Sequence, residues 1–450
     1  MIVPLFRRRQ GKKEVYIEIE TRIHYNYPMN LKKLETLLTS EPSVSKNNRQ
    51  NFILCAFFVS IVIISMIIIY FFTKPIIYDQ VIAKYRFNNG YPGISSGITS
   101  HLLIGLYNFI AQPSEAVQNV HIKIFAMILF LSSGFILAWS IFQNRFLTGL
   151  FMVLLFLSRY PFLWLSTELI VASLLFLSLW AVIKNHHPVI ISFFLALLCF
   201  SKPEMIIISM AFLAYYALRL RKKSLRSVGV LFISFIFFVS LILAPGVIKR
   251  GTDYFSDANR SLFSFGQHYA ALFARHQVSQ SATHPWAEYY KYLETNFKGA
   301  GNMLEVCYKY PLKYFDFLLL SMGHGLLKGL ALFHVLSIVL VMMVFWYFKK
   351  GFKPILAEKF ILISFIGYIP LILFSYPHIR YLARYYPLLI ILIFMYLKRA
   401  VSTTEKENLF RSHIVLITII ILVIAVFINA YLFVHNLAAF ESVKEFWFPD

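Results

Sequence analysis

From residue 51 to residue 72 the chain carries no Asp, Glu, Lys or Arg. About 20 consecutive apolar residues are what a helix needs to cross a bilayer. Inside lipid a single segment can satisfy its backbone only as a helix. Apolar runs of similar length recur at 122–142 and 163–183, with one charge each, and at 228–248 and 414–434 with none, and short polar clusters separate the runs. Of the 450 residues, 59% are hydrophobic and 14% charged, whereas a soluble domain is about one-quarter charged. The expected fold class is therefore all-α: a polytopic membrane protein with about eleven transmembrane helices.

Lys and Arg number 43 against 21 Asp and Glu, a net charge of +22. In a soluble protein that excess would point to nucleic acid. Here the basic residues cluster in short loops between apolar runs, where they orient the chain by holding those loops inside. Nucleic acid is therefore not an expected partner. Knots at 219–226, 349–353 and Lys398-Arg399 mark the inner side. Residues 1–50 read as a cytoplasmic tail that fixes topology and touches anionic lipid. Residues 51–434 form the transmembrane domain, and 435–450 an outer tail.

Shorter apolar runs at 146–157 and 189–200 are read as crossings, and 98–110 as an interfacial helix. The run 315–348 is too long for one straight span. Gly323, Gly325 and Gly329, with the polar His324 and Lys328, are expected to divide it into a surface helix and a span beginning near Gly329. The polar, aromatic segment 249–314 reads as one large outer loop with helices of its own. Cys55, Cys199 and Cys307 lie far apart, with no zinc or disulfide spacing, and read as inert thiols.

This topology places Asp79, Glu168, Lys202, Glu204, Arg380 and Arg384 at the outer face. Charges at the rim of a membrane are costly and are usually paired or used. Each also has a plain reading. Asp79 can cap a helix, and Glu168 can be a solvated helix end. Lys202-Pro203-Glu204 can be a turn broken by proline, and the two arginines can anchor to headgroups. His186-His187 reads as a turn. His268, His276 and His284 read as surface residues without ligand spacing.

The order of these features resembles a known family. It begins with an acid just after the first span, followed by the turn-rich Asn88-Asn89-Gly90-Tyr91-Pro92-Gly93. Ser158-Arg159-Tyr160-Pro161 and Ser166-Thr167-Glu168 come next, then Ser201-Lys202-Pro203-Glu204. Arg380-Tyr381-Leu382-Ala383-Arg384-Tyr385-Tyr386-Pro387 completes it. The series resembles the integral-membrane glycosyltransferases of the C-type fold, over residues 51–397. That family includes the protein O-mannosyltransferases, the aminoarabinose transferases of lipid A and bacterial relatives that build lipopolysaccharide.

The resemblance implies a polyprenyl-phosphate sugar donor and a lipid, glycan or protein acceptor. It implies work among membrane lipids, at the periplasmic face of a bacterial inner membrane. Asp79 matches the catalytic carboxylate of the first outer loop, and Glu168 a second acidic position. Lys84, Arg86, Lys202, Glu204, Arg380 and Arg384 match positions for substrate and lipid phosphate. One departure is visible: Gln80 follows Asp79 where many relatives have a second acid. The resemblance leaves a divalent cation open, but no His/Asp cluster demands one.

The chemistry needs these residue types. A sugar leaves a lipid phosphate readily when Arg or Lys stabilises the phosphate charge. The acceptor hydroxyl needs a carboxylate within hydrogen-bond reach. Two other functions remain open on the sequence: an O-antigen-type polymerase with arginine-rich outer loops, and a transporter or flippase. The latter usually shows internal repeats, and none is clear here.

Overall fold

The computed structural model describes residues 48–72, 98–112, 118–158, 166–222, 224–251, 259–274, 289–350, 354–369, 373, 382–402 and 408–439. Asp79, Lys84, Arg86 and Arg380 lie outside the described residues, as do His276 and His284. Among the described residues there are sixteen α-helices and no strand. In chain order they are α1 (Asn48–Phe72), α2 (Ile98–Ala111), α3 (Gln118–Phe142) and α4 (Arg145–Leu157). Next are α5 (Ser166–Ile183), α6 (Pro188–Cys199), α7 (Pro203–Arg221) and α8 (Leu225–Arg250). The middle of the chain forms α9 (Asn259–Ala274), α10 (Tyr289–Asn296), α11 (Met303–Lys309) and α12 (Pro311–Phe333). The last four are α13 (Leu336–Lys350), α14 (Leu356–Ser364), α15 (Tyr386–Ser402) and α16 (Asn408–Ala439).

Among the described residues, six segments are long and apolar enough to cross a membrane: Asn51–Tyr70, Val120–Phe142, Ser166–Ile183, Pro203–Arg221, Leu225–Lys249 and Leu416–Val434. Ile98–Ala111, Arg145–Leu157, Pro188–Cys199 and Leu336–Phe345 are shorter apolar helices. The outward faces are apolar too: Phe52, Ile233 and Phe427 are each about 70% exposed. Hydrocarbon is the solvent that suits such a surface, so this is a helical membrane protein. α5 is the enclosed helix of the bundle, with fifteen of its residues buried, Glu168 among them.

The ends of the helices sort into two groups. At one end α5, α7 and α15 all begin, joined by ion pairs through Glu168, Lys202, Glu204 and Arg384. α2 begins there too, where the Thr99 amide donates to the Phe200 carbonyl. At the other end α5 and α7 finish together, with the Tyr216 hydroxyl on Asn185. α3 and α15 also finish there, with Lys398 Nζ on the Phe142 carbonyl. α14 starts at this second end, where Glu358 meets Arg399. α5 has 18 residues, so the two ends stand about 26 Å apart at 1.5 Å per residue. The second end carries Arg219, Arg221, Lys398 and Arg399; it is the basic end.

Two expectations need correction. Gly323, Gly325 and Gly329 do not divide the run 315–348, because α12 continues through all three to Phe333. The break falls at His334, which takes a left-handed backbone (φ 36°), and α13 starts at Leu336 rather than near Gly329. A helical glycine costs only about 1 kcal/mol relative to alanine, too little to end a helix whose neighbours are Leu. His268, read as a surface residue, is buried in α9 at 3% exposure.

The 249–314 segment carries α9, α10 and α11. With the start of α12 they close on an aromatic core of their own, including Phe265, Tyr269, Phe297 and Phe317. Phe265 packs edge-on against Phe297 and Phe317 at 5.3 and 4.9 Å.

Candidate functional site

The site is built where three helices begin. α7 starts with Pro203 at its first position, after Lys202 in extended conformation. Proline suits that position because its missing N–H would have no intrahelical partner. Glu204 falls in the first turn of α7 and Glu168 in the first turn of α5. A helix N-terminus favours negative charge, so both carboxylates sit where the backbone stabilises them. Arg384 lies in the turn that enters α15, closed by the Tyr385 amide donating to the Leu382 carbonyl.

These four side chains form one network. Arg384 Nη2 donates to Glu168 Oε2 at 2.9 Å, and Nη1 to Glu204 Oε1 at 2.8 Å. Lys202 Nζ donates to Glu168 Oε1 at 2.9 Å. Two acids and two bases balance in charge. Burial differs sharply among them: the side chains of Arg384 and Glu168 are 0% and 1% exposed, Glu204 9% and Lys202 24%. The solvated helix-end reading of Glu168 is therefore wrong. Arg384 spends both terminal nitrogens on carboxylates and offers no surface. Lys202 is the member with room to meet another molecule.

Neighbouring residues fix this arrangement. Tyr385 is buried and stacks on Phe365 at 5.3 Å. Gly367 lies against Tyr385 and Ile208, and a Cβ there would collide with the Ile208 side chain. The Tyr386 hydroxyl accepts from Asn429 Nδ2 at 3.0 Å, which ties α16 to the same corner. Asn429 was not singled out from the sequence. The signal that marks it is a polar side chain inside an apolar run, which is costly unless paired.

Of the eight candidates named from the sequence, the structure brings Glu168, Lys202, Glu204 and Arg384 together; the other four are undescribed. Glu168 does not suit a resident divalent cation, since both its oxygens face cationic side chains. Among the described residues no group of three His, Cys, Asp or Glu side chains could hold a metal. No known protein family, curated protein or solved structure matches this chain.

Proposed function

We propose that the chain is a glycosyltransferase that moves a sugar from a polyprenyl-phosphate donor to a lipid, glycan or protein acceptor. On this reading it crosses the membrane eleven times, through α1, α3–α8, α13, the segment that begins with α14, α15 and α16. The basic end faces the cytoplasm and the ion network lies at the outer face. The observation that carries the reading is the convergence of Glu168, Lys202, Glu204 and Arg384 at the end opposite the basic residues. Ionisable residues inside membrane segments are expensive to hold, which makes such a cluster a candidate functional corner.

The burial divides the roles. Arg384, Glu168 and Glu204 are positioning residues: they weld the starts of α5, α7 and α15 into one rigid corner. Lys202, the half-buried member, meets the departing phosphate and stabilises its charge. Asp79 takes the proton of the acceptor hydroxyl as its oxygen attacks the anomeric carbon. The bond from that carbon to the phosphate oxygen breaks, and polyprenyl phosphate leaves with the electron pair. The configuration inverts, so no protein nucleophile is required.

The test uses the full chain in proteoliposomes with a synthetic polyprenyl-phosphate sugar, measuring released polyprenyl phosphate. Asp79→Asn is expected to abolish release while the protein still inserts. Lys202→Gln is expected to cut it by about 10²–10³, the usual cost of removing one charge-stabilising donor. Undiminished release in both variants would overturn the reading. Movement of the lipid across the bilayer with no bond broken would favour a flippase instead.

A further inference from the structure

The basic end carries a half-open cavity that the proposed reaction does not use. A cavity of about 310 Å³ lies between α3 and α5, at the lower edge of the ~300–1,000 Å³ range of small-molecule sites. Its apolar part is Phe135, Ile136, Trp139 and Trp180; its polar part is Ser140, Gln143 and Lys184. The polarity is graded. Along α3 the lining runs from Phe135 toward Gln143 just past the helix end, about 12 Å at 1.5 Å per residue. On α5, Trp180 lies one turn before Lys184. The polar groups thus sit at the level of the helix ends, and the aromatic ones a turn or two deeper. That is the profile of a phospholipid from headgroup to chain, and tryptophan favours that boundary.

The local charge has one sign. Lys184 is exposed at the rim. Lys398 Nζ reaches the Phe142 carbonyl at 3.2 Å, next to Gln143. Arg145 follows two residues on, with Nε on Asn51 Oδ1 at 3.1 Å. Glu358, the acid at this end among the described residues, is paired with Arg399. Ser140 Oγ is committed to the Ile136 carbonyl at 2.8 Å, which leaves Lys184 and Gln143 to face a ligand. Trp180 is held by the ring of His186, with centroids 4.3 Å apart.

We propose that this cavity binds one anionic phospholipid of the surrounding leaflet. Its phosphate rests on Lys184 and Gln143, and its first chain carbons lie against Trp139 and Trp180. The site stands at the end opposite the ion network and is independent of the sugar-transfer reading.

The experiment places the full-length protein in nanodiscs of equal parts phosphatidylglycerol and phosphatidylcholine. Retained lipid is counted by native mass spectrometry. The wild type is expected to keep one phosphatidylglycerol in preference to phosphatidylcholine. Lys184→Gln should lower that retention about tenfold, the scale of one hydrogen bond to a charged group. Ile136→Trp, which fills the cavity and spares the lysine, should do the same. Lys222→Gln removes a cation elsewhere at the basic end and should change nothing. Equal retention of both lipids, an unaffected Lys184→Gln, or an equal loss in Lys222→Gln would each overturn the proposal. Lys184 is an exposed side chain, so its variant remains informative where the tryptophan variant does not fold.

Discussion

Arg384 has 0% of its side chain exposed and holds two carboxylates. A buried ion pair gains little over a well-packed apolar substitute, but removing one partner strands the other in a low-dielectric interior. Arg384→Ala is therefore expected to cost about 3–5 kcal/mol, read as a loss of thermal stability in detergent. Arg384→Lys should recover only part, because an ammonium cannot span two carboxylates as a planar fork does. Removing Glu168 and Arg384 together should cost less than the sum of the single losses, and a double-mutant cycle measures the difference. The sequence made these residues visible as charges at the ends of apolar runs. Their pairing was not legible. Arg384 lies 180 and 216 positions from its partners, and no local periodicity reports a contact at that distance.

At the scale of elements, α6 has 12 residues and is held by hydroxyls as well as by packing. Ser178 on α5 donates to the Phe194 carbonyl, Ser209 on α7 to the Leu195 carbonyl, and Ser192 on α6 to the Leu231 carbonyl of α8. Such interhelical bonds are each worth about 0.6 kcal/mol and at most ~1.7. Ser192→Ala and Ser209→Ala should each lower unfolding stability by about that amount, and denaturant titration can resolve it. Gly367→Ala should cost more, since its Cβ meets Ile208 and Tyr385 in a packed corner. The lobe offers a pH test. Asn302 caps α11, and Glu305 returns the bond through Asn302 Nδ2 while also accepting from Lys309 and the Gly301 amide. The Lys309 bond, then the Gly301 amide, hold the Glu305 carboxyl below its ordinary value of 4.5. A lowered carboxyl contributes stability that is complete above its unfolded value and lost as pH falls through its folded one. Glu305→Gln should therefore loosen the lobe near neutral pH, with the gap to wild type closing in acid. Proteolysis within the lobe would report it. Helix existence was readable from the apolar runs, but the break at His334 was not, because glycines drew attention while a left-handed histidine leaves no sequence mark.

At the scale of the molecule, the two ends of the bundle differ in charge. The chain places acids and an arginine at the starts of α5, α7 and α15, and basic residues at the finishes of α7 and α15. Because these helices run side by side in one direction, the charge pattern along each adds to the others rather than cancelling. Basic loops stay on the cytoplasmic side, so the ion network and the aromatic lobe are expected on the other. The prediction can be checked without any substrate. In a background lacking Cys55, Cys199 and Cys307, a cysteine replaces either exposed Lys298 in the lobe or exposed Lys222 at the basic end. A membrane-impermeant maleimide on intact cells should label the Lys298 position at once, and the Lys222 position only after the membrane is opened. Labelling of both from the same side would remove the two-ended arrangement, and with it the placement of the proposed sugar-transfer site. The opposite order would keep the arrangement but invert it, putting the lobe where charged loops are normally retained. That outcome requires another force to outweigh the Lys and Arg of the loops at the basic end.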